Sequence, residues 1–93
     1  MIPRRAQRID SNQAEIVAAL KRAGCTVEFI GQPLDLLVGR TGKNFLLELK
    51  SDNDQPTPAQ RDFLKAWNGH AAVVRSFEEA LQAVGLAKPA KAA

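Results

Sequence analysis

The chain reads as an α/β protein of the α+β kind, a mixed β-sheet flanked by helices, and three observations lead there. Two apolar stretches, Leu34 to Arg40 and Lys43 to Lys50, meet at a tight turn holding Gly42, which is the pattern of a β-hairpin. A helix start at Thr57-Pro58-Ala59-Gln60 follows, and then a short apolar strand, so the hairpin leads into a helical crossover. Helical periodicity recurs near both ends of the chain. The order is α-β-β-β-α-β-α, and a hairpin followed by a helical crossover implies a sheet with both antiparallel and parallel pairs.

Taken in order, residues 1–10 form a basic arm carrying Arg4, Arg5 and Arg8, without periodicity of its own. The first helix is expected from Ser11 or Asn12 to just before Gly24, a natural C-terminal stop. Ile16, Leu20 and Ala23 give it one apolar stripe, and Glu15 lies on the border of that stripe. Asn12 followed by Glu15 fits a capping box, which needs no active site, so Glu15 admits a structural and a functional reading. Cys25 to Ile30 favours a strand, and Gly31-Gln32-Pro33 a turn into the hairpin.

After Lys50, the segment Ser51 to Pro56 is a polar loop; its Asp52 and Asp54 lack the glycine and distal glutamate of a calcium loop. In the next helix Gln60, Phe63, Leu64 and Trp67 form one inward row. Arg61 and Lys65 lie four apart beside it. His70 to Arg75 is a short strand, and Ser76 to Glu79 starts a last helix with Phe77, Leu81 and Val84 inward. Residues 11–86 thus make one domain, and residues 87–93 an Ala/Pro/Lys tail expected to be disordered.

At 93 residues, 45% hydrophobic and 25% charged, the chain has the composition of an ordinary small globular domain. Its apolar runs are too short to span a bilayer, and one cysteine permits no internal disulfide, which suits a reducing cytoplasm. With a single cysteine and a single histidine, a structural zinc site is excluded in practice. A net charge of +3 and a pI near 9.4 are compatible with a polyanionic partner.

The anomaly is in the hairpin. Strands apolar on both faces are normally covered on both sides, yet Asp35, Glu48 and Lys50 interrupt these two. If Thr41-Gly42 is a two-residue loop, Arg40 pairs with Lys43 and Asp35 falls opposite Glu48, about 5 Å away across the ladder. Alternation places Glu48 and Lys50 on the same face as Asp35. Two carboxylates that close repel, and a hard cation such as Mg²⁺ or Mn²⁺ between them turns the repulsion into binding. The Lys50 ammonium, one pleat on, is suited to a water or a phosphate. The bare pattern Asp…Glu-x-Lys arises by chance in about one small domain in three, so its weight comes from the facing register.

With these residues in place, the chain resembles the PD-(D/E)XK nuclease superfamily, and in particular its VRR-type branch of small stand-alone phage and bacterial nucleases. The resemblance rests on Asn12-Gln13-Ala14-Glu15, Gly31-Gln32-Pro33-Leu34-Asp35-Leu36, Glu48-Leu49-Lys50 and Thr57-Pro58-Ala59-Gln60, in that order from about Ser11 to Ala83. It departs at Leu34, which separates Pro33 from Asp35. It implies a restriction-endonuclease-like core and Mg²⁺- or Mn²⁺-dependent hydrolysis of DNA phosphodiesters. In this resemblance Asp35, Glu48 and the backbone carbonyl of Leu49 are metal ligands. Glu15 completes the metal shell, often through water, Lys50 orients the attacking water, and Gln60 helps hold the Lys50 end of the site. It further implies a homodimer acting on branched, flap or junction DNA, in a bacterial or phage-infected cytoplasm. Candidate DNA-backbone contacts are Arg4, Arg5, Arg8, Lys21, Arg40, Lys43, Arg61 and Lys65. The competing expectations are a nucleic-acid-binding module that keeps the fold without catalysis, and a phage protein–protein adaptor.

Overall fold

A computed structural model describes residues 10–86 of the chain. The arm residues Arg4, Arg5 and Arg8 and the tail after Leu86 lie outside the described residues. The elements are α1 (Asp10–Arg22), β1 (Thr26–Phe29), β2 (Leu36–Arg40), β3 (Lys43–Leu49), α2 (Pro58–Ala66), β4 (Ala71–Val74) and α3 (Phe77–Ala83). They form a four-stranded sheet in the order β1-β2-β3-β4. The β1–β2 and β2–β3 pairs are antiparallel and β3–β4 is parallel, so the sheet is mixed as expected.

The hairpin turn fixes everything downstream. Arg40 pairs with Lys43, leaving Thr41 and Gly42 as the two-residue loop, with φ of 47° and 84°. Positive φ at both central residues is what this class of hairpin turn requires, and Gly42 adopts it without steric cost. The register then runs Val38↔Phe45 and Leu36↔Leu47 on one face, and Leu37↔Leu46 on the other.

The first face carries the core. Leu36, Val38, Phe45, Leu47 and Val74 are buried there against Ile16 and Leu20 of α1, Ala80 of α3 and Val84 at its C-terminal end. Each aliphatic side chain so buried contributes about 1.5–3 kcal/mol relative to exposure. Helix α1 packs on β1 and α3, and α3 on β4. The stripe on α1 is Ile16, Ala19 and Leu20; Ala23, past the helix end, is exposed.

The second face departs from expectation. Leu37, Leu46 and Val73 are only half-buried, and α2 contributes no fully buried residue. The row Phe63, Leu64, Trp67 does not sink into a second core: Phe63 and Leu64 are half-buried and Trp67 is 48% exposed. The nine-residue α2 reaches this face through Gln60, which touches Glu48, and buries none of its own side chains fully. Helix α1 also starts earlier than its capping signal suggested. Asn12 lies inside the helix, and its side-chain amide donates to the Arg75 carbonyl at 3.4 Å. The expected Asn12–Glu15 capping box is therefore not formed.

Candidate functional site

Asp35 sits at the mouth of β2, where three strands meet. Its backbone carbonyl accepts from the amides of Ile30 and Gly31 at 2.9 and 3.2 Å, which ties it to the end of β1. Its carboxylate Oδ2 accepts from the Leu49 amide at 2.9 Å, which ties it to β3. One step beyond the last paired residues, Leu36 and Leu47, the register brings Asp35 opposite Glu48. The facing carboxylates expected from the sequence are brought together.

Glu48 is the only buried charged residue among those described, at 3% exposure. Its Oε2 is doubly held, by the Lys50 ammonium at 3.2 Å and by the Gln60 side-chain amide donating at 2.9 Å. Its Oε1 is buried and has no hydrogen-bond partner. An unpaired buried carboxylate oxygen costs more than an unpaired neutral group. Burial pushes the Glu48 carboxyl above the ordinary carboxylate range, and the neighbouring Asp35 charge pushes the same way. The hydrogen bond and charge of Lys50, and the hydrogen bond from Gln60, pull it partly back.

Gln60 reaches Glu48 because α2 starts where it does. Thr57 caps the helix by accepting from the Gln60 amide at 3.1 Å, and Gln60 Oε1 accepts from the Thr57 amide at 2.9 Å. That leaves the Gln60 amino group pointing at Glu48. The capping and functional readings of this residue are both realised, by opposite ends of one side-chain amide.

Other candidates fall elsewhere. Glu15 is exposed on α1, on the solvent side of buried Ile16. Among the described residues no three acidic, histidine or cysteine side chains gather as a ligand cluster, so Glu15 does not complete one with Asp35 and Glu48. Arg40 alternates onto the face opposite the carboxylates, with Leu36 and Val38, and donates to the Val84 carbonyl at 3.1 Å just after α3. A cation there complements the negative end of the helix, so this arginine acts in the fold. Lys43, its ladder partner, shares that face at the far end of the hairpin, five residues from Glu48. Lys21 is exposed on α1. Arg61 and Lys65 are exposed on α2, the helix that carries Gln60.

One residue of this region went unnoticed in the sequence. Arg75, next after Val74 in the register beside Lys50, sends Nη1 to the carbonyls of Ser51, Asp54 and Asp52 at 2.6, 2.7 and 3.4 Å. It braces the loop that follows Lys50, whose own amide donates to the Val74 carbonyl at 3.1 Å. Extending the β3–β4 pairing by one residue would have found it.

The donor set suits a hard cation. Two carboxylates on facing strands are oxygen ligands of the kind Mg²⁺ and Mn²⁺ prefer. The buried Oε1 of Glu48, which has no hydrogen-bond partner, is the observation that fits such an ion. Compared with protein-family models, with curated proteins and with solved structures, the chain matches none. The residues themselves therefore carry whatever is said of function.

Proposed function

We propose that the chain is a metal-dependent deoxyribonuclease that hydrolyses phosphodiester bonds, with preference for branched, flap or junction DNA. The observation that carries this reading is Glu48: a buried carboxylate facing Asp35, with one oxygen held by Lys50 and Gln60 and the other unpaired. As a purely structural feature this arrangement costs stability, because it buries a carboxylate facing a second one and leaves one of its oxygens unpaired. As a binding site, the same features are useful.

In this reading Asp35 and Glu48 hold the ion, with the Leu49 carbonyl beside them. A bound Mg²⁺ or Mn²⁺ lowers the pKa of a coordinated water and offsets charge at the scissile phosphate. The chain's own residues do the rest. Lys50, within 3.2 Å of Glu48, presents an ammonium for the charge that develops on the phosphate oxygens. Gln60 fixes the rotamer of Glu48, and Arg75 braces the loop leaving Lys50. Arg61 and Lys65 supply backbone contacts that position DNA without reading its sequence. Glu15, Lys21, Arg40 and Lys43 are left out, since none lies beside the carboxylates. A homodimer belongs to the same reading, because the spacing of two sites would select the DNA shape. The exposed Phe29 and Ile30 at the end of β1 support such pairing.

A second reading has an observation in its favour. Asp35 already accepts from Leu49 and Glu48 is paired with Lys50, so the cluster can be regarded as partly self-satisfied. That suits a nucleic-acid-binding module without catalysis. Cleavage of a panel of labelled DNA structures with Mg²⁺ or Mn²⁺ separates the two, with wild type beside Lys50→Ala and Glu48→Ala. Metal-dependent cutting lost in both variants supports the nuclease. Binding without cutting, and without a Mn²⁺ rise in melting midpoint, supports the module.

A further inference from the structure

The apolar row of α2 begins at the site and ends in the open. Gln60, Phe63, Leu64 and Trp67 share one side of the helix, and Gln60 touches Glu48. Trp67, at the helix C-cap, is the only tryptophan of the chain and is 48% exposed. A single exposed indole is ordinary by itself, so its meaning rests on what surrounds it.

The ring is nevertheless held. Phe63 stacks on it, with centroids 5.2 Å apart and an interplanar angle of 25°. The chain passes close along its edge at Gly69, where a Cβ would lie 2.8 Å from the indole Nε1. A side chain at this position would have to displace the indole. Trp67 is thus backed by Phe63 and passed closely by Gly69 while about half its surface remains accessible.

Two features argue for what covers it. Trp67 lies seven positions after Gln60, a rise of about 10 Å, or roughly three stacked nucleotides at 3.4 Å each. The surroundings are charged: Arg61 and Lys65 lie exposed on one flank of the row. The cores of protein–protein interfaces are depleted of charge, whereas surfaces for single-stranded nucleic acid combine cations for the backbone with aromatic rings for the bases. We propose that Trp67, backed by Phe63, is a stacking platform for an unpaired nucleobase within about three nucleotides of the phosphate at Glu48 and Lys50. This inference rests on the nuclease reading and narrows it: the substrate has to offer an unpaired base near the scissile bond.

With one tryptophan in the chain, its emission reports on this position alone. The test titrates the protein, with EDTA to prevent hydrolysis, with two fluorescein-labelled two-strand DNA duplexes, one carrying a single-stranded extension and one blunt at both ends. Label anisotropy reads binding and tryptophan emission reads stacking. The extended oligonucleotide is expected to quench the emission. Trp67→Ala is expected to weaken its binding by about 5- to 140-fold, the range that loss of one base stack gives. Trp67→Phe restores most of that loss, and neither variant alters binding of the blunt duplex. Binding of the extended form without quenching overturns the platform and leaves the nuclease reading intact. So does an equal loss for both oligonucleotides. Emission that shifts to shorter wavelength with protein concentration alone assigns Trp67 to contact with a second copy, and overturns it also. If neither oligonucleotide binds and none of the DNA panel is cut with metal, the nuclease reading falls together with the platform.

Discussion

Gln60 serves the helix with one end of its amide and Glu48 with the other, so Gln60→Glu separates the two roles. A glutamate is a natural partner in a capping box, and its carboxylate can still accept from the Thr57 amide. What is lost is the donor 2.9 Å from Glu48 Oε2, and what is gained is a second carboxylate in its place. Losing a hydrogen bond to a charged group costs about 1.5–3 kcal/mol. Two carboxylates about 4 Å apart repel by up to about 4 kcal/mol at an effective dielectric of 20, an upper bound that Lys50 and local relaxation reduce. The expected loss at pH 8 is about 2–4 kcal/mol, against a total stability of about 5–14 kcal/mol for a chain of this length. Gln60→Ala is expected to cost a similar amount at pH 8, through the same donor plus about 0.5–2 kcal/mol of capping. The two variants part company on acidification. Facing carboxylates share a proton, so the folded Gln60→Glu protein binds more protons near pH 5.5 than the unfolded chain does. Its stability therefore rises as pH falls, and more steeply than that of Gln60→Ala, in which the raised Glu48 carboxyl has no second carboxylate at Gln60's place. Urea unfolding in a chelating buffer from pH 5 to pH 8 reads this directly. Parallel pH profiles for the two variants would refute the assignment of Gln60 to Glu48.

Wild type in the same buffer carries a milder form of this dependence. The folded Glu48 carboxyl titrates above its ordinary range, so its favourable contribution is fully present below that range and is lost as pH rises through the raised value. Glu48→Gln should flatten the profile, and an unchanged slope in that variant would contradict the burial described. Arg75→Met should cost about 1–2 kcal/mol, at the low end for charge-assisted bonds because the loop it braces is exposed. It should also speed proteinase K cleavage within residues 51–55 well beyond the loss of global stability, and equal cleavage rates would remove Arg75 from its bracing role.

Much of the candidate site was legible because it rests on strand arithmetic. Once Thr41-Gly42 is taken as the loop, counting fixes Asp35 opposite Glu48 and Lys50 on the same face, and the register agrees. Gln60 was legible for a similar reason, since Thr57 and Pro58 fix the first turn of α2. Helix surroundings were less legible. The periodicity of α2 marks an apolar row but does not say how deeply it sinks, and Trp67 ends half-exposed. Glu15 borders a stripe, and a border position turns to solvent or sheet according to packing that one helix cannot specify. Arg40 and Lys43 were grouped with the DNA contacts by charge alone, when the alternation that placed Glu48 also puts them on the opposite face. Arg75 bonds across 24 residues to Ser51, and only tertiary pairing reveals a partner that remote.

The four side chains of the candidate site, Asp35, Glu48, Lys50 and Gln60, come from one unbroken stretch of chain on one face of the sheet. Helices α1 and α3 pack on the other face and reach toward the site through the strands and through Arg75, which Asn12 and Glu79 both contact. Substitutions accumulate under separate constraints in such an arrangement. One side of the sheet answers to the requirement that the protein exist, the other to whatever it is asked to bind. The turn at Thr41-Gly42 is where the two demands join, because inserting one residue there would exchange the faces and bury the wrong set. A lineage of such proteins could drift far in its helices and still be recognised by the length of that turn.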